Sequence, residues 1–197
     1  MAVTAHPLSR DYQIFFVGGT CGTFVKSIFY NYLCSLTQDA PLSFVEIDPV
    51  TGECPPAPTI HGVHWIDKLD PAKKTILIDF DDDDKRTIVR MAFNKVVVRQ
   101  ILRNPTCLKT QWNIDIDPGD VALLEKTFIQ NPDYLIFPDW HQQVRLVNPV
   151  LTIKFKDIFF GDISQTIADF FQTDRLPELD LFIEQFRKIN QKYFEIT

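Results

Sequence analysis

The chain has 197 residues, of which 45% are hydrophobic and 23% charged, and this composition is typical of one globular domain, residues 1–197, and not of a disordered chain. Its formal net charge of −6 argues against a nucleic-acid partner, because phosphate contacts need clustered lysine and arginine. No apolar stretch reaches the ~18 residues of a membrane span, and residues 1–11 lack the apolar run of a signal peptide. We therefore expect a soluble, cytoplasmic protein without a membrane partner, and leave a homo-oligomer open.

Strand-like and helix-like patterns alternate along the chain. In chain order, the patterns predict a strand over 12–17, a helix over 23–36, strands over 42–47 and 75–78, helices over 81–102 and 118–130, a strand over 150–155, and helices over 157–171 and 179–194. Residues 48–58 are rich in proline and predict a loop, and 134–137 fit either a short strand or a helix end. This order predicts an α/β fold of three layers, a mainly parallel sheet of about four or five strands with helices on both faces.

A glycine-rich loop joins the first predicted strand to the first predicted helix. The loop is Gly18-Gly19-Thr20-Cys21-Gly22-Thr23, followed by Phe24. Glycines let backbone N–H groups point inward, the helix N-terminus adds partial positive charge, and the threonines add hydroxyl donors. The loop therefore predicts a phosphate or sulfate site, with a plain tight turn as the alternative. It is not a Walker A motif, because Thr23 and not lysine follows Gly22.

The strand, the sequence G-T-x-G-T-F and the helix together resemble the 5′-phosphosulfate loop of the sulfotransferases. Two further segments are similar to that family. Phe155-Lys156-Asp157-Ile158 stands where the family has Y-E-D-L, and Thr59-Ile60-His61, followed by 74–79, is similar to its K-T-H segment. The resemblance implies a P-loop NTPase-like fold. It also implies metal-independent transfer of sulfate from 3′-phosphoadenosine 5′-phosphosulfate (PAPS), which leaves 3′,5′-adenosine bisphosphate (PAP), to a hydroxyl of a small molecule or saccharide.

The resemblance also shows where this chain departs from the family. Thr20 stands where the family has a lysine that contacts the transferring sulfate, and Asp79 stands at the arginine that holds the 3′-phosphate. Thr87 occupies the family's serine position, and Arg86 and Arg90, one helical turn apart, are expected to compensate for the missing arginine. These changes keep open a catalytically silent binding or assembly module of the same fold.

Two histidines are candidates for the general base. His61 and His64 precede the third predicted strand, and a family histidine near this position takes the proton from the acceptor hydroxyl. Histidine suits this task because its ordinary pKa lies near neutral pH. The alternative is that both are loop histidines without a catalytic task.

Two charged stretches allow other interpretations. Residues 76–79 end in an aspartate like a Walker B strand, and Asp81-Asp82-Asp83-Asp84 follow, so a Mg²⁺-dependent nucleotide enzyme is a second candidate. The same acids fit the first turn of a helix, where they offset its dipole, and we expect no metal. Arg99 and Arg103, with Lys109, form a modest basic cluster that fits a solvated helix face.

Overall fold

A four-stranded parallel sheet forms the centre of the chain. The computed structural model describes residues 11–37, 47 and 60–194. Its strands are β1 (Tyr12–Phe15), β2 (His61–Val63), β3 (Lys74–Asp79) and β4 (Leu151–Lys154). They lie in the order β2-β1-β3-β4, and every neighbouring pair is parallel. The predicted α/β class and parallel sheet are confirmed.

Both faces of the sheet are covered. Gln13, Ile14 and Phe15 of β1 are all buried, as are residues 75–78 of β3. Because successive side chains of a strand point to opposite faces, burial of consecutive residues requires packing on both sides. This explains why the third predicted strand is apolar throughout and does not alternate.

Nine α-helices occur within the described ranges: α1 (Gly22–Thr37), α2 (Lys85–Ala92), α3 (Val98–Arg103), α4 (Cys107–Trp112), α5 (Val121–Gln130), α6 (Trp140–Leu146), α7 (Phe155–Phe160), α8 (Ile163–Phe171) and α9 (Glu178–Asn190). A π-helical turn, Phe93–Val97, joins α2 to α3, so 85–103 form one continuous helix. Among the described residues, no helix is long and apolar enough to cross a membrane.

The structure corrects several predicted boundaries in the first half of the chain. β2 is not among the predicted strands, because three residues are too few to show a strand pattern. The helix predicted to begin at Asp81 starts with a 3₁₀ turn, Asp82–Asp84, before α2. The predicted strand at 42–47, Ile47 apart, and the predicted loop at 48–58 lie outside the described residues.

The second half of the chain contains more breaks than the sequence pattern suggests. The helix predicted over 157–171 is divided at Gly161 and Asp162, where the Asp162 carboxylate accepts a hydrogen bond from the Gln165 N–H (3.0 Å) and caps α8. Of the two alternatives for 134–137, the strand does not form, and a 3₁₀ turn, Pro132–Tyr134, ends at the first of these residues. The short helices α4 and α6 were not predicted.

Aromatic packing positions the last helix beside the first. The ring of Phe24, in the first turn of α1, stacks on Phe186 of α9, with centroids 3.7 Å apart. The hydroxyl of Tyr32 donates to or accepts from Ser164 of α8 at 2.8 Å. The contact between Phe24 and Phe186 places α9 next to the start of α1, and hence next to the glycine loop; the contact between Tyr32 and Ser164 joins α1 to α8.

Candidate functional site

The glycine loop (residues 18–24) lies at the carboxyl edge of the sheet, just beyond β1. β1 is an inner strand, and the chain continues to β2 on one side of it and then to β3 on the other. In parallel α/β sheets, ligands bind beyond the carboxyl ends of the strands at this kind of reversal. The fold therefore places the glycine loop where a ligand site is expected.

Two glycines of the loop occupy positions that other residues do not fit. Gly19 has φ +89°, and a Cβ there would lie 2.5 Å from the carbonyl oxygen of Ile88 in α2. A Cβ on Gly22 would overlap the ring of Phe16. By contrast, a Cβ on Gly18 would have no described residue other than its chain neighbours within 4 Å. Gly19 thus lets the loop pass close to the backbone of α2, whereas Gly18 faces open space.

The hydroxyl of Thr20 is turned into the fold. Thr20 is fully buried, and its Oγ1 donates to the carbonyl oxygen of Val17 at 2.6 Å, as its N–H does at 3.1 Å. Thr20 therefore closes the turn, and its hydroxyl does not face the open side of the loop. This side chain replaces neither the charge nor the position of a loop lysine.

The amino end of α1 faces the cavity that opens beside the glycine loop. The first backbone bond of the helix runs from the Val25 N–H to the Cys21 carbonyl at 3.1 Å. The N–H groups of Gly22, Thr23 and Phe24 precede it, and N–H groups at this point of a helix have no acceptor within the helix. They are available to an anion, which the helix dipole also favours.

A cavity of about 200 Å³ opens beside the loop, and we call it the loop cavity. This volume is below the range of about 300–1,000 Å³ typical of small-molecule sites, so it fits one anionic group and not a whole nucleotide. The loop cavity brings together six of the predicted loop residues, the predicted His64, and four residues that the sequence did not indicate. The residues that line it are Phe16, Gly18, Gly19, Cys21, Gly22, Thr23, Phe24, His64, Lys95, Val96 and Phe186.

Lys95 brings a buried positive charge into the loop cavity. It lies in the π-helical turn and is only 8% exposed. Its Nζ lies 5.4 Å from the ring centroid of Phe186 and 5.8 Å from that of Tyr193, and such contacts stabilise a cation. Sequence reasoning missed Lys95, although a lysine within the run 91–98, whose other residues except Asn94 are apolar, was the available signal.

The loop cysteine is held as a thiol. Burial raises the pKa of the Cys21 thiol to about 11, and the nearby charge of Lys95 lowers it by a smaller amount. Because the thiolate is the reactive form of cysteine, Cys21 is not a nucleophile at neutral pH. Its φ of +64° shows that it contributes the bend of the loop.

His64 has the geometry of a general base. Its Nδ1 lies 2.9 Å from the carbonyl oxygen of Phe16, and because a carbonyl can only accept, Nδ1 carries the proton and Nε2 of the neutral ring carries the lone pair. Burial lowers the pKa of His64, the charge of Lys26 lowers it further, and the hydrogen bond to Phe16 opposes both effects. The ring is therefore neutral at physiological pH.

His61 lies apart from the loop cavity. It is exposed at the amino end of β2, where it pairs in register with Gln13. It lies three positions before His64, a distance of about 10 Å along an extended chain. Of the two predicted bases, the structure places only His64 beside the loop.

The three candidates for the 3′-phosphate do not line the loop cavity. Arg86 is exposed and Thr87 is half-buried on α2. The guanidinium of Arg90 donates to the Tyr193 carbonyl at 3.3 Å and lies 3.6 Å from the Glu125 carboxylate. Arg90 thus fastens α2 to α5 and to the end of the chain.

The aspartate run serves α2 and the end of β4. The Asp79 carboxylate accepts from Lys154 Nζ at 2.7 Å and from Trp140 Nε1 at 3.3 Å, one bond to each oxygen. Asp81 and Asp84 form a reciprocal capping box before α2. No group of three potential metal ligands occurs within the described ranges, and the contacts of Asp79 argue against the alternative in which it binds Mg²⁺.

Comparison with known proteins gives no relative: no protein-family model, curated protein or solved structure matches the chain. Any evidence for function therefore comes from the residues of the loop cavity themselves.

Proposed function

We propose that this protein is a sulfotransferase that binds PAPS with its phosphosulfate in the loop cavity and transfers the sulfuryl group to a hydroxyl acceptor. One observation carries the proposal: the buried ammonium of Lys95 lies in the same cavity as the glycine loop and His64. The cavity thereby combines a binding site for an anion with a base for an incoming hydroxyl.

Binding of the donor depends on neutralising its charge. The N–H groups of Gly22, Thr23 and Phe24 and the positive end of α1 attract the phosphosulfate. Lys95 supplies the cationic charge that Thr20 lacks. Because Lys95 is shielded from water, its attraction for an anion is stronger than that of an exposed lysine.

Transfer requires a base and a stabilised leaving group, and the cavity contains candidates for both. His64 Nε2 accepts the proton of the acceptor hydroxyl as that oxygen forms its bond to sulfur. The bond between sulfur and the bridging oxygen breaks in line, and its electron pair leaves with the 5′-phosphate. Lys95 and the N–H groups of the loop then face the charge that develops on the phosphate. When the transfer is complete, the proton of the acceptor hydroxyl is on His64, and it is then released to solvent.

A thermal-shift titration tests the proposal. PAP, ADP and ATP are each added with EDTA or with Mg²⁺. A ligand at 100 times its dissociation constant stabilises the native state by about 2.7 kcal/mol, which raises the midpoint by roughly 5 °C or more for a chain of this size. We expect PAP to give this shift in EDTA. A shift that needs both ATP and Mg²⁺, or no shift with any nucleotide, contradicts the proposal.

A further inference from the structure

A second groove continues from the loop cavity. It has a volume of about 370 Å³ and shares Lys95 and Val96 with the loop cavity. From there it follows α3, and its lining is Lys95, Val96, Arg99, Gln100, Arg103 and Asn104. We call it the basic groove. The loop cavity and the basic groove therefore adjoin at Lys95 and Val96.

The basic groove is positive in a protein of negative charge. Among the residues that the structure describes, Lys95, Arg99 and Arg103 line it and no carboxylate side chain does, although the chain carries a net charge of −6. The three cations are four residues apart on the continuous helix 85–103, so they form a row with about 6 Å between neighbours. Such a row selects a ligand with several negative charges.

The two cavities have room for different parts of the two reactants. The loop cavity fits one anionic group, which the proposed function gives to the phosphosulfate. The acceptor must bring a hydroxyl to that group and to His64, and the rest of the acceptor must extend away from it. The basic groove supplies the space for this part. The Gln100 amide nitrogen donates to Gln111 at 2.6 Å and the Asn104 amide oxygen accepts from Thr106 at 2.7 Å, so the Gln100 oxygen and the Asn104 nitrogen are the atoms suited to hydrogen bonds with sugar hydroxyls.

We infer that the basic groove binds the sulfate acceptor and that this acceptor is an acidic oligosaccharide, with carboxylate or sulfate groups about 6–12 Å from the reacting hydroxyl. This inference rests on the proposed function. The exposed Arg99 and Arg103 bind the acidic groups and have no part in transferring the sulfuryl group.

Binding of a heparin-derived tetrasaccharide, measured by titration calorimetry in the presence of PAP, tests the inference. Neutral maltotetraose is the matched ligand control. The test variant is Arg99→Glu with Arg103→Glu. Its control is Lys73→Glu with Lys74→Glu, which makes the same change of charge where β3 begins, at the opposite edge of the sheet. We expect the test variant to bind the tetrasaccharide at least about tenfold more weakly, since it loses two charge-assisted contacts, and to keep its thermal shift with PAP.

The outcomes separate the inference from the proposed function. If PAP binds but the tetrasaccharide does not, or if both double variants lose the tetrasaccharide equally, the inference is overturned and the donor site stands. If PAP does not bind, the proposed function fails and the acceptor role fails with it. Tighter binding of a single-stranded oligonucleotide than of the tetrasaccharide, lost in the test variant, also overturns the inference, because the groove is then a nucleic-acid site.

Discussion

Replacing Gly19 with alanine tests whether the glycine loop has the conformation described. Gly19 has a φ of +89°, and its added Cβ would lie 2.5 Å from the Ile88 carbonyl oxygen and 3.0 Å from the Cβ of Ala92. The nearest atom belongs to the backbone of α2, so it cannot rotate away as the end of a long side chain would. Either the loop or α2 must move.

The cost of Gly19→Ala has two parts. An unfavourable backbone conformation costs about 1–3 kcal/mol, and overpacking costs a further 1–3 kcal/mol or so. Their sum, about 2–6 kcal/mol, is a large part of the 5–15 kcal/mol or so that stabilises a typical protein. The loop also moves away from the position in which its N–H groups face a ligand, so PAP binding should be lost together with stability.

Urea unfolding measures this cost. Gly18→Ala is the matched control, because among the described residues only the chain neighbours of Gly18 could lie within 4 Å of its Cβ. We expect Gly19→Ala to lower the unfolding midpoint by about 1 M or more, given a typical slope of about 1–3 kcal/mol per M. Gly18→Ala should leave it nearly unchanged. Equal midpoints for the two variants would refute the reasoning about the loop.

The cavity histidine, the Asp79 ion pair and the loop cysteine give three more tests. His64→Ala should abolish sulfate transfer and His61→Ala should not. Only the neutral ring accepts a proton, and burial lowers the pKa of His64, so wild-type activity should fall with decreasing pH through a pKa below about 6.5. A higher pKa in the pH profile contradicts the assignment. Lys154→Met should lower the free energy of unfolding by about 1 kcal/mol, since Asp79 loses its ionic partner; a value near zero in urea unfolding contradicts this contribution, and stabilisation of the wild type by Mg²⁺ argues for the metal alternative. With a pKa of about 11, Cys21 should react with iodoacetamide at pH 8 about a hundredfold more slowly than glutathione, and peptide mass spectrometry showing equal rates would contradict its burial.

Much of the fold could be predicted from the sequence, because the apolar periodicity of a long segment indicates which of its faces is buried. β1, β3, β4 and α1 were all indicated near their observed positions, and so was the glycine loop between β1 and α1. β2 could not be predicted, because a three-residue strand is defined by its pairing with β1 and not by a sequence pattern of its own. The break between α7 and α8 depends on one capping aspartate within an otherwise helical sequence.

The candidate site could be predicted only in part, since a cavity is assembled from distant segments. The glycine loop is local, and the sequence indicated it. Lys95 reaches the loop because α2 packs against Gly19, a contact between residues far apart in the chain. The choice between His61 and His64 depends on where β2 ends. The inward turn of the Thr20 hydroxyl, which appears in the sequence as a ligand donor, depends on the geometry of one tight turn.

The central claim is that Lys95 and the glycine loop together hold the donor. Titration calorimetry of PAP in EDTA tests it most directly, with Lys95→Met and Arg86→Met compared with the wild type and the fold of each variant checked by urea unfolding. Both variants remove one positive charge, but only Lys95 lines the loop cavity. We expect Lys95→Met to weaken PAP binding by about tenfold or more, as loss of a charge-assisted contact does, and Arg86→Met to bind like the wild type. No binding by the wild type, or equal weakening in both variants, would contradict the account.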